Sequence, residues 1–149
     1  MKTLFDGAVR EELVARIGAL SESDRALWGK MSVGQMVRHC VLSQEWFLSG
    51  RRLKGKFVGR LIGGLIFKQV MKTERMRKNS PTLTELIVTD TNIDLSRERQ
   101  ALAGLVREYG TYAYPAGGFV HPFFGKMTRE QIGEFVYKHL DHHLRQFGR

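Results

Sequence analysis

All three prolines of the chain, Pro81, Pro115 and Pro122, fall between long segments in which apolar residues return at helical spacing. None interrupts such a segment, and this arrangement predicts helices. The first runs from about Ala8 to Leu20, with Val9, Leu13, Ile17 and Leu20 on one face. The second opens at Ser32, which has capping-box spacing with Gln35, and ends near Gly50, a suitable stop. The third spans about Leu95 to Tyr109, with Leu95, Leu102, Leu105, Val106 and Tyr109 as its stripe and Gly110 as its terminator. The fourth follows Thr128, again in capping-box spacing with Gln131, and continues almost to the last residue. Four amphipathic helices of this length predict an all-α fold, a four-helix bundle. The 149 residues fit a single domain, 1–149. A chain of this size buries roughly 68–70% of its unfolded surface, enough for a core without disulfides or a structural metal.

A long connection, Arg51 to Asp94, joins helices two and three. It predicts a short helix over Val58 to Met71 and an extended piece over Leu83 to Val88, and its length allows a return across the bundle. Tyr112 to Lys126, which contains Pro115, Gly117, Gly118, Pro122 and Gly125, reads as an irregular loop. The longest apolar stretch, Phe57 to Phe67, is broken by Gly59, Arg60, Gly63 and Gly64. It falls short of the roughly 20 residues of a spanning helix, so no transmembrane segment is expected. Met1 to Arg10 lacks the apolar run of a signal peptide. Cys40 is the only cysteine, which excludes an internal disulfide and suits a reducing, cytoplasmic setting.

The formal net charge is +9, and Arg51 to Lys78, with ten cations against the single acid Glu74, carries the whole excess. A basic segment of this kind suits an anionic small molecule, an anionic membrane or phosphate backbones. In the last two cases the bundle is a non-catalytic scaffold. Phe57, Leu61, Leu65 and Ile66 with Arg60, Lys68 and Lys72 would suit a membrane surface, and the same pattern also describes an ordinary connecting helix with a solvated basic side. No nucleic-acid motif accompanies the segment, so no nucleic acid is expected. Gly55 to Leu65 lacks the G-K-[S/T] ending of a nucleotide-cradling loop.

Three of the five histidines, His139, His142 and His143, crowd into the last helix. Ile132, Phe135, Val136, His139, Leu140, His143 and Phe147 follow one stripe, so His139 and His143 face the core, while Lys138, Asp141, His142 and Arg145 lie away from its centre. Imidazoles at i and i+4 can reach a common ion at about 2.0–2.1 Å. His39 lies on the side of helix two that carries Ser32, Met36, Ser43 and Trp46, and it too can point inward. Three imidazoles from facing helices form the donor set of an open site that keeps a position for water or substrate. The alternative is three hydrogen-bonded core histidines, at a cost of roughly 1–3 kcal/mol for each ring nitrogen left unsatisfied.

His121, before Pro122, is either a proton-transfer residue at the pocket mouth or a loop anchor. His142 points about 100° away from His143, towards solvent or a subunit contact. Gln146 stands one turn beyond His143, where it orients a ligand from behind or closes the bundle end. Cys40 reads as packing, and Tyr112 and Tyr114 either supply a phenol to the site or, as loop aromatics more often do, pack.

The stretches TLFDGAVREELVARIGALSESDRALWGKMSVGQMVRHC (Thr3 to Cys40) and HPFFGKMTREQIGEFVYKHLDHHLRQFG (His121 to Gly148) resemble the DinB/YfiT-like superfamily of metalloenzymes, in its small bacterial branch of unassigned function. The resemblance implies a four-helix bundle, commonly a homodimer, with a divalent ion held by one histidine of helix two and an HxxxH pair of the last helix. On this sequence those ligands fall on His39, His139 and His143. It further implies a thiol-dependent transferase, isomerase or hydrolase that uses a low-molecular-weight thiol such as bacillithiol or mycothiol, and many members have no assigned activity. The expectation is a dimeric metalloprotein acting on a small anionic molecule. Three imidazoles accept zinc, nickel, copper or iron with only modest discrimination.

Overall fold

The computed structural model describes residues 1–53 and 58–149, with 58–61 described as backbone alone. Lys54, Gly55, Lys56 and Phe57, and the side chains of Arg60 and Leu61, which belong to the basic and amphipathic readings above, lie outside the described residues. Helix α1 (Gly7–Gly18) begins where the Asp6 carboxylate accepts from the Ala8 amide, and it buries Val9, Leu13 and Ile17. Helix α2 (Val33–Ser49) starts in the reciprocal Ser32–Gln35 capping box and stops at Gly50 in the left-handed conformation. Helix α3 (Val58–Lys72) follows. Helix α4 (Leu95–Glu108) is capped by Asp94, and helix α5 (Arg129–Gln146) by the Thr128–Gln131 box.

Helix α4 packs on α1 and α2, and α5 packs on the same two helices. The core lies between these four, where Leu13, Val37, Phe47, Val106, Ile132 and Val136 are all but fully buried. The spacing of apolar residues therefore put each long helix in place, and the apolar stripes of α1, α4 and α5 face the core.

Four features differ from the sequence expectation. The segment around Leu83 is a 3₁₀ turn, Thr84–Leu86, where an extended piece was expected. Leu83 and Leu86 are both buried. A 3₁₀ turn brings residues three apart to one side, whereas a strand would point them to opposite faces. Second, the stretch expected to be an irregular loop contains strand β1 (Phe119–His121), paired antiparallel with β2 (Gly125–Met127), so the fold is mainly but not wholly helical. Three residues, Pro122 to Phe124, connect the strands, and Gly125 follows at φ 76°, the left-handed residue that a hairpin of this length uses. The Tyr114 hydroxyl donates to the Met127 carbonyl at 2.6 Å and fixes the hairpin's approach.

Third, α4 ends by tightening into a 3₁₀ turn at Tyr109–Thr111 instead of a glycine stop at Gly110. A β-carbon at Gly110 would stand 3.1 Å from the Arg10 guanidinium, a tight approach to the end of a flexible side chain. Fourth, Lys138 and Asp141 are buried although they lie off the apolar stripe of α5. Asp141 pairs with Arg16 of α1 at 2.8 Å and with Arg145 at 2.7 Å. The Lys138 ammonium donates to the carbonyls of Val70, at 2.5 Å, and Thr73 at the end of α3. Helix α3 also touches the hairpin through Gly63, where a β-carbon would lie 2.6 Å from the Phe123 carbonyl oxygen. Neighbours on three sides thus leave α5 little free surface.

Candidate metal centre

Helix α2 presents His39, and α5 presents His139 and His143 one turn apart. One ring nitrogen from each lies within 4.8 Å of the others. His39 Nε2 and His139 Nε2 stand 3.2 Å apart. Two donors on a tetrahedral ion with bonds of about 2.05 Å are separated by about 3.3 Å, so this spacing already suits coordination.

The hydrogen bonds behind the rings set their tautomers. His39 donates its Nδ1 proton to the Leu86 carbonyl at 2.8 Å. His143 donates its Nδ1 proton to Gln146 Oε1 at 3.0 Å, and Gln146 Nε2 donates to the Trp28 carbonyl at 2.7 Å, which fixes the amide's orientation. Both rings are therefore left with an Nε2 lone pair. Only His139 has a proton free to place between them, and its buried Nδ1 has no partner among the described residues. Lone pairs converging in apolar surroundings with so few protons to share are what a cation satisfies. The donor set fits a divalent ion.

Electrostatics keep the rings in the ligating form. Burial lowers the pKa of His39 against the opposing pull of the Leu86 carbonyl. Burial and then the neighbouring His39 push His143 down to about 3. His139 is held well below the ordinary value by burial first, then by His143 and His39. All three are neutral imidazoles at neutral pH, the form that binds metals.

The three rings form part of the wall of a cavity of about 710 Å³. The other predicted residues divide clearly. Buried His121 also lines the cavity, with its ring stacked on Phe124 at 4.3 Å. Its Nδ1 accepts the amides of Phe123, at 3.1 Å, and Phe124, at 3.3 Å, so it anchors the hairpin turn and carries its proton on Nε2. Burial pushes its pKa down to about 3. His142 packs against Trp28, with ring centroids 5.5 Å apart, and also lines the cavity rather than facing solvent alone. Gln146 orients His143 from behind. Cys40 is buried with Sγ 3.8 Å from the Met36 sulfur, and burial raises its thiol pKa far above the usual range. Tyr112 stacks on Phe5, and Tyr114 holds the hairpin.

Sequence reasoning missed the Leu86 carbonyl, because a backbone acceptor 47 positions from its donor leaves no mark in side-chain spacing. It also missed Trp28, whose carbonyl fixes Gln146 and whose ring lines the cavity. The described cations of the basic segment do not line this cavity. Instead Lys68 and Lys72 are exposed on α3 beside the exposed apolar residues Ile62, Leu65 and Ile66. A family described as a protein of unknown function (DUF1569) matches residues 7–149. No curated protein and no solved structure matches the chain.

Proposed function

The chain belongs to the DUF1569 family, and from that premise we propose that it is a metal-dependent enzyme whose His39, His139 and His143 hold one divalent ion at an open site. The observation that carries the reading is the pair of committed Nδ1 protons, on Leu86 and on Gln146, which leave Nε2 lone pairs of α2 and α5 converging beside His139. The resemblance to the DinB/YfiT-like superfamily supports the same three ligands, a four-helix bundle built from α1, α2, α4 and α5, and a homodimer. It also supports thiol transfer or hydrolysis as the reaction class.

His39, His139 and His143 would hold a divalent ion through three neutral donors, and its undiminished charge would lower the pKa of a water or thiol at the open position. The chain's own residues do the rest. Leu86 and Gln146 fix the tilt and tautomer of two ligands, as partners behind metal-bound histidines do. His121, with Nδ1 taken by two amides, cannot act as a base through that atom, and it offers an Nε2 proton to a substrate oxygen. The apolar rings of Phe124 and Phe135 exclude water around it.

Elemental analysis of tag-free protein tests this reading. One divalent ion per chain is expected in the wild type and a loss of at least 90% of it in His39→Ala/His143→Ala; equal metal content in the two would overturn the proposal. A second reading is favoured by the exposed Ile62, Leu65 and Ile66 at i, i+3 and i+4 on α3. In it the helix lies on an anionic membrane, with Lys68 and Lys72 at its flanks.

A further inference from the structure

The walls around the histidines differ from the surroundings that a small anionic substrate would need. Trp28, Met31, Phe47, Leu86, Phe124 and Phe135 all line the cavity, and Lys30 is the one charged lining side chain among the described residues. Neither Asp nor Glu appears on the wall among the described residues. A carboxylate or phosphate placed against the apolar walls, away from the three histidines, would lose its hydration without gaining a counter-charge. An apolar body would gain from the same surroundings, and about 710 Å³ is room for a ligand of drug-like size. Exposed Asn79, Ser80 and Thr82 make the rim polar, so the polarity rises outward from the floor.

We infer that the site takes a predominantly apolar substrate, an alkyl or aryl body carrying one oxygen or sulfur donor at the end that meets His39, His139 and His143. The donor end rests on the metal reading above, and the apolar body does not. Ser43 and His121 are the two buried polar side chains on the wall apart from the triad and Gln146. Such a sparse polar complement orients a ligand without demanding many groups on it.

Both tryptophans of the chain, Trp28 and Trp46, line the cavity, so intrinsic fluorescence reads its occupation directly. The experiment titrates zinc-loaded protein with straight-chain hydroxamates from acetohydroxamate to octanohydroxamate, and metal-stripped protein with alcohols from pentanol to octanol. Affinity is expected to rise roughly threefold to fourfold per added methylene in both series, the increment for a buried CH₂. Met31→Glu, a change at a partly buried wall position, is expected to flatten both slopes. Flat series in the wild type would overturn the inference. If acetohydroxamate binds only with zinc but the slope is flat, this inference fails and the metal reading stands. If the alcohols show the slope but zinc does not bind, the metal reading fails and the apolar cavity stands. Slopes unchanged in natively folded Met31→Glu would place the binding elsewhere and overturn the assignment to this cavity.

Discussion

His121 shows how one buried ring can serve a turn and acquire a pH dependence by doing so. Its Nδ1 accepts the amides of Phe123 and Phe124, and burial moves its pKa from the ordinary 6.5 to about 3. The unfolded chain then binds more protons than the folded one between those two values, so stability is whole above pH 6.5 and falls as the pH drops towards 3. At pH 5 this group alone costs about 2 kcal/mol relative to pH 7. An asparagine can accept the same two amides without titrating. The loss of urea stability between pH 7 and pH 5 is therefore expected to be about 2 kcal/mol smaller in His121→Asn than in the wild type; equal losses would show that the ring does not carry the effect. The histidine cluster was legible at this scale because His39, His139 and His143 all sit on inward faces fixed by helical spacing. The partners behind them were less so. Gln146 is one turn from His143 and was visible, but Leu86 acts through its carbonyl, which every residue has.

Helices report themselves through caps and stripes, and both capping boxes formed where Ser32 with Gln35 and Thr128 with Gln131 had indicated them. Short elements carry no comparable signal. The hairpin has only three residues in each strand, and density of proline and glycine masked the one informative position, Gly125. Lys138 presents the reverse case, a charged residue that reads as solvated and is buried because the end of α3 folds over it. Its ammonium satisfies the carbonyls of Val70 and Thr73, which no further helical turn can reach. Replacing it by methionine keeps the stem and removes the donor. Lys138→Met is expected to destabilise the fold by about 1–3 kcal/mol and to speed hydrogen exchange first around residues 70–76. Unchanged exchange there would mean that the ammonium does not hold the helix end.

Across the whole molecule, the described cations of the basic segment are absent from the cavity wall and stand exposed on the surface instead. The described part of α3 exposes Leu65 by 70% and Ile62 by 45%, with Lys68 and Lys72 on the same helix. If this face meets a membrane, sedimentation with vesicles containing phosphatidylserine should remove the protein from solution. Neutral phosphatidylcholine vesicles should not, and Leu65→Glu should weaken the association at least tenfold. Binding that ignores lipid charge would refute the membrane reading. That most of the chain would be helical was legible from the placement of its prolines and apolar stripes. The use of the basic segment was not, since charge alone fits a solvated face, a lipid surface and an anionic ligand equally well.

The loop between α1 and α2 reaches the last turn of α5 and the chain end beyond it at three points. The Leu27 amide donates to the Gln146 carbonyl at 2.8 Å, Gln146 Nε2 donates to the Trp28 carbonyl at 2.7 Å, and Arg149 pairs with Asp24 at 2.6 Å. A segment with no chemistry of its own therefore acts as a clasp on the amide that steers an imidazole. Lengthening or loosening that clasp would alter the pitch of one ring against the other two, so the pull on an ion would change well before the helices came apart.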